Sequence, residues 1–150
     1  MVIALETKPE KKTTYCRSKA DDFFNTFPVE KVQGYKDYWE TVAPQTDGDR
    51  FRRYLFAYCS VHTSWQGNCR GYEAIKNYEE WVDDKDALLN KLANSGVGLH
   101  NNRTKYIWDF ATQFWAKPTD FYLTTKKYHV KKRDAIVEKI IGLGMAKVSF

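Results

Sequence analysis

Near the carboxyl end, Gly142-Leu143-Gly144 stands between two helical runs, with Lys147 one turn into the second. Glycines can take positive φ and leave backbone N–H groups open to a ligand, and a helix N-terminus favours an anion, so the pattern can hold a phosphate. Leu143 can tuck between the helices, the amides of Met145 and Ala146 lie just beyond the turn, and the Lys147 ammonium can add to the site. A helix that simply stops at Gly142 is the other use of the same glycine. Two cations, Arg103 and Lys105, with the polar Asn102 beside them, follow the glycine-rich turn 95–99. Cations are disfavoured at a helix N-terminus, so Arg103 and Lys105 are either a solvated face or placed there for a nearby phosphate. His62, His100 and His129 lie far apart, and there is no H-E-x-x-H, P-loop or dinucleotide fingerprint. No metal is therefore expected.

The elements that must position these residues read as helices. Residues 131–141 are amphipathic, with Ile136, Val137, Ile140 and Ile141 on one face, and Met145 opens a further run. A stretch from Arg50 through FRRYLFAYCSVHTSW is apolar on most sides, which predicts a buried central helix. Helix is expected to resume over 68–78 with Tyr72, Ile75 and Tyr78 inward. Asp83-Asp84 caps another that carries Leu88, Leu89 and Leu92 and stops at Gly96. Asn101 or Asn102 can cap the next, whose stripe is Ile107, Trp108, Phe110, Ala111, Phe114 and Trp115, and Pro118 closes it. Residues 119–130 read as a loop or short helical turn. Upstream, a helix opens at 18–21 and carries Phe23, Phe24 and Phe27, and Pro28 starts another through Val32, Tyr35, Tyr38, Trp39 and Val42. Residues 1–17 read as a flexible basic lead-in and 18–150 as a single helical domain. With no convincing strand period, the expected class is all-α, an orthogonal multi-helix bundle of about seven or eight helices.

Composition agrees with a folded domain. Ten Tyr, nine Phe and five Trp in 150 residues supply apolar area. A net charge of +5 favours an anionic partner, nucleic acid among them. Cys16, Cys59 and Cys69 are odd in number and form no C-x-x-C pair, so buried thiols in a reducing compartment are expected in place of disulfides or a zinc knuckle. The apolar run at residues 1–5 is too short for a signal peptide or membrane span, which predicts an intracellular, cytoplasmic protein without a membrane partner.

Taken in order from about residue 47 to 150, three stretches resemble the helix-hairpin-helix superfamily of DNA glycosylases, the endonuclease III group. LFAYCSVHTSW is similar to the family's buried helix ending in a Ser-x-Gln or Ser-x-Asn step, with Ser60-Val61-His62 in that place. SGVGLHNNRTKYIWDFA resembles its Gly-Leu-x-x-x-Lys/Arg-Ala turn and helix. KKRDAIVEKIIGLGMAKVSF resembles its Leu-Pro-Gly-Val-Gly-x-Lys hairpin. The resemblance implies a C-terminal helix-hairpin-helix and double-stranded DNA carrying a damaged or mismatched base as partner. Gly142, Leu143, Gly144, Met145, Ala146 and Lys147 would form the phosphate grip, and Asn102, Arg103 and Lys105 would hold strand phosphates. His62 would fill the gap left by an extruded base, and Leu99 would be the wedge. A core or helix-end role for His62, and a covering role for Leu99 over its own turn, stay open.

Two departures shape the expected activity. The slot for the family's Schiff-base lysine holds Ala146, with Lys147 one residue later, so Lys147 is a catalytic candidate in a shifted register. The family's catalytic Asp lies on a segment beyond the point matched by Phe150, so the resemblance implies an incomplete fold, inactive alone, whose missing segment a second polypeptide could supply. No cofactor is expected, and the cysteine count leaves no room for an iron–sulfur cluster. Which base would be excised does not follow. The alternatives are a non-enzymatic helix-hairpin-helix nucleic-acid-binding protein and a helical interaction protein with incidental basic charge.

Overall fold

A computed structural model describes residues 11–123 and 129–149, with side chains from residue 18 onward. The protein is all-α, with no strand among the described residues. Residues 1–10 of the expected lead-in, and 124–128 of the expected loop, lie outside the described residues.

The chain divides into two compact units, residues 1–43 and 44–150, where the sequence reading took 18–150 as one domain. In the first, α1 (Lys11–Thr26) begins inside the stretch read as a lead-in, and α2 (Val29–Thr41) follows Phe27-Pro28. Pro28 fixes φ at −59° and its carbonyl accepts from the amides of Lys31 and Val32, so the proline opens α2 as its lack of an N–H allows. Among the residues whose side chains are described, Phe23 and Phe24 of α1 and Tyr35, Tyr38 and Trp39 of α2 are exposed.

The second unit holds the core. α3 (Asp47–Cys59) starts from a capping box in which the Asp49 amide donates to Thr46 Oγ1 at 3.1 Å and the Thr46 amide donates to the Asp49 carboxylate at 3.1 Å. Hydrogen bonds from the Thr46 amide, the Thr46 hydroxyl and the Gln45 amide hold the Asp49 carboxyl below its usual range. Phe51 lies at the centre, stacked on Phe110 of α6 (His100–Ala116) with ring centroids 5.5 Å apart, and flanked by Phe114, Trp115, Tyr78 and Trp81. Ile107, Phe110, Ala111 and Phe114 are the buried apolar stripe of α6. Truncating Phe51 or Phe110 to Ala would cost about 3–5 kcal/mol.

α4 (Trp65–Ile75) packs on α3, and α5 (Lys85–Ser95) packs on α4 and α6. A Cβ on Gly71 would lie 2.8 Å from Val97 Cγ2 and 3.3 Å from Cys59 Sγ, so the missing side chain is what lets α4 approach the core. α4 ends at Ile75, earlier than the 68–78 reading, because a 3-10 turn over Tyr78–Glu80 takes its place; there Trp81 Nε1 donates to the Ile75 carbonyl at 2.8 Å. The expected run from Arg50 into Trp65 is likewise broken: α3 stops at Cys59, and His62 sits at φ 50°.

α7 (His129–Lys139) and the single turn α8 (Met145–Val148) enclose the 140–144 bend. Ile136, Ile140, Leu143 and Val148 are buried, whereas Ile141 is 60% exposed. The predicted four-residue apolar face therefore loses Ile141, because the helix ends before it at Lys139. Gln113 Nε2 donates to the Lys139 carbonyl at 3.2 Å, and the Tyr58 hydroxyl donates to the Ile141 carbonyl at 3.1 Å, so α6 and α3 hold the bend by its backbone. Among the described residues no helix is long and apolar enough to cross a membrane.

Candidate functional site

Three segments distant in the chain meet at a cleft of about 360 Å³. Tyr58, Val61 and His62 come from the end of α3 and the turn beyond it, Leu99, Asn102, Arg103 and Tyr106 from the start of α6, and Gly142 from the bend before α8. His62 and Leu99 are exposed and stand at φ 50° and 49°. They are the positive-φ non-glycine residues among those described, and both line this one cleft. Side chains in that region cost roughly 1–2 kcal/mol each and persist only where the surroundings impose them.

Arg103 imposes them. It is buried, at 5% exposure, and does not point outward as a phosphate contact would. Its Nε donates to the Gly98 carbonyl at 2.9 Å, Nη1 to the Tyr58 carbonyl at 2.7 Å and Nη2 to the Val61 carbonyl. Gly98 immediately precedes Leu99 and Val61 immediately precedes His62, so one planar guanidinium fixes the backbone before both strained residues. Tyr58 and Val61 carbonyls lie at the C-terminal end of α3, where a cation is favoured by the macrodipole. Arg103, expected on a strand phosphate, turns its fork to carbonyls of this chain. Burial pulls the guanidinium below its usual value, opposed by the nearby Cys59.

The glycines divide the labour unequally. Gly142 has φ 99°, and a Cβ there would lie 2.9 Å from Tyr106 Cδ2 and 3.3 Å from Tyr58 Cε1, so this position needs glycine for conformation and for space. Gly144, expected to share the positive φ, is extended at φ −90° and ψ 179°, and a Cβ there would meet nothing within 4 Å. Its backbone faces open space, with the exposed Met145 and Ala146 beside it. Leu143 is buried, as a residue tucked between helices should be. The first bonds of α8 are from the Lys147 and Val148 amides to the Gly144 carbonyl, both 3.1 Å.

Lys147 does not line the cleft of His62 and Leu99. Its Nζ donates to Ser60 Oγ at 2.8 Å, while that hydroxyl donates in turn to the Ala57 carbonyl at 2.7 Å. Ser60 is thus committed on both sides and is not set up as a nucleophile. Lys105 is exposed on α6 outside the cleft lining, and Asn102 is exposed on its rim. Two aromatic walls, Tyr58 and Tyr106, were not singled out in the sequence: Tyr58 sits in the run read as a buried central helix, and Tyr106 falls beside the apolar stripe that begins at Ile107. Burial pushes the Tyr58 phenol up, with Asp109 adding to the effect. No Asp or Glu lines the cleft. Among the described residues no cluster of three or more His, Cys, Asp or Glu is placed to hold a metal ion. Comparison of the chain with family models, with curated proteins and with solved structures finds no match.

Proposed function

We propose that residues 44–150 form a duplex-DNA grip of the base-excision glycosylase kind. His62 enters the gap at an unpaired or damaged base, Leu99 wedges the stack, and the amides about Gly144 with Lys147 and Lys105 take strand phosphates. The observation that carries this reading is the meeting of His62 and Leu99, both in left-handed backbone, on one exposed cleft. A planar ring and an apolar wedge held at one opening suit the tasks that base extrusion sets. Leu99 is 54% exposed, and a strained backbone that presents a large apolar side chain to water is expensive unless something binds it.

The test is binding to a duplex that carries an abasic-site analogue, measured across salt concentrations for the native chain, His62→Ala, Gly144→Asp and Lys147→Glu. His62→Ala should lose about 1–3 kcal/mol, the usual worth of one stacked aromatic, and Lys147→Glu should flatten the salt slope by roughly one charge or more. Equal affinity for all four proteins sinks the interface.

A second reading, a grip without excision, is favoured by two features: the cleft lining holds no carboxylate to activate water, and Lys147 is turned to Ser60. Incubation with duplexes carrying uracil, 8-oxoguanine or a mismatch separates the two, since only the enzymatic reading predicts released base or strand cleavage.

A further inference from the structure

Tyr58, the last residue but one of α3, is tied at both its ends. Its backbone carbonyl accepts from Arg103 Nη1 at 2.7 Å and from the Val61 amide at 3.5 Å, in the turn that leads into His62. Its hydroxyl, at the far end of the side chain, donates to the Ile141 carbonyl at 3.1 Å. The ring between them is 3% exposed and lies against Phe110, with centroids 5.4 Å apart. One rigid residue therefore spans from the rim that carries His62 to the bend before α8.

The hydroxyl bond decides more than the place of one carbonyl. A peptide unit is planar and this one is trans, so the carbonyl of Ile141 and the amide of Gly142 point in opposite directions. Pinning the carbonyl to Tyr58 turns the Gly142 amide away from that hydroxyl. Gly142 is exposed at φ 99°, and among the described residues nothing accepts from its amide. A Cβ on Gly142 would stand 3.3 Å from Tyr58 Cε1 and 2.9 Å from Tyr106 Cδ2, so the two rings also set how closely the bend approaches the rim.

We infer that Tyr58 is a positioning residue of the proposed grip. Its hydroxyl aims the Gly142 amide as a donor to a strand phosphate, while its carbonyl, through Arg103 and Val61, keeps His62 and Leu99 at a set distance from that donor. This role rests on the proposed function and deepens it, because it is what makes two separate contact surfaces act together. A gap in a duplex and the phosphate beside it stand at a spacing that the DNA fixes. The protein gains from both at once only if its own two surfaces are already held at that spacing. An intact duplex offers phosphates but no gap and makes no such demand. Loosening the tie should therefore weaken binding to the abasic duplex more than to the intact one.

The experiment measures the affinity of the full chain, of Tyr58→Phe and of Tyr54→Phe for an abasic duplex and for the same duplex intact. Tyr54 lies one turn earlier on α3, and its hydroxyl donates to the Phe121 carbonyl at 3.0 Å, outside the cleft lining. Each substitution takes one hydroxyl from one carbonyl and keeps the ring, so a loss of stability alone would move both variants alike. Tyr58→Phe should lower the ratio of abasic to intact affinity by about two- to tenfold, the usual worth of one hydrogen bond. Tyr54→Phe should leave the ratio at the native value. An unchanged ratio in Tyr58→Phe overturns the positioning role and keeps the grip, and an equal fall in both variants overturns it as an effect of stability. A native chain without preference for the abasic duplex removes the grip and the positioning role together.

Discussion

Arg103 Nη1 donates a 2.7 Å hydrogen bond to the carbonyl of Tyr58, 45 positions earlier in the chain. With Nε on Gly98 and Nη2 on Val61, the side chain satisfies three carbonyls from two segments. Lysine keeps the charge but not the planar fork, and it cannot reach all three. Arg103→Lys should lower stability by about 2–4 kcal/mol, the cost of one or two buried acceptors left unpaired. The midpoint of urea unfolding measures this. A change below about 0.5 kcal/mol would mean that the carbonyls find other partners.

The two glycines of the bend should respond in opposite ways. Gly142→Ala forces a positive φ on alanine and presses its Cβ on Tyr106, and should cost about 1–3 kcal/mol. Gly144→Ala meets open space at an ordinary φ and should stay within about 0.5 kcal/mol. Thermal unfolding of the pair decides it, and similar losses at both would contradict the geometry.

Leu99→Gly separates folding from binding. Glycine accepts φ 49° without the penalty that leucine bears, and little buried area is lost, so stability should hold or rise by up to about 1 kcal/mol. Affinity for the abasic duplex should nonetheless fall. If binding stays at the native level, Leu99 is no wedge.

Alkaline titration follows from the core. Burial pushes the Cys59 thiol up to about 12 from its ordinary 9.0, and raises the Tyr54 and Tyr58 phenols above their ordinary 10.0. The folded chain therefore retains protons that the unfolded chain releases. This contribution is complete below about pH 9, declines above it, and is gone once pH has passed through the folded values. Urea midpoints recorded from about pH 8 to about pH 11 should fall steadily, and a flat profile would disprove the assignment.

Much of this was legible in the sequence wherever periodicity carried it. The α6 stripe, the Gly96 stop of α5 at φ 71° and the inward Leu143 all follow from apolar spacing and glycine chemistry. What the sequence hid was orientation. Arg103 and Lys105 look alike in a basic first turn, yet one lies inward under the cleft and the other outward, because only Arg103 is within reach of the α3 carbonyls. His62 sits inside an apolar run that reads as unbroken helix, and nothing local announces its left-handed backbone.

The Arg103 tie also bears on how this chain could vary. Everything between His62 and Leu99 in sequence, namely α4, the 3-10 turn and α5, is bridged by three atoms of one side chain. The gauge between the two rim residues is thus fixed in part by the dimensions of a guanidinium and not by the path of the intervening polypeptide alone. Insertions or deletions in the connection between α4 and α5 should therefore change the width of the mouth less than the loss of this arginine, which would leave Thr63 on the Val97 carbonyl as the remaining hydrogen bond between the two turns.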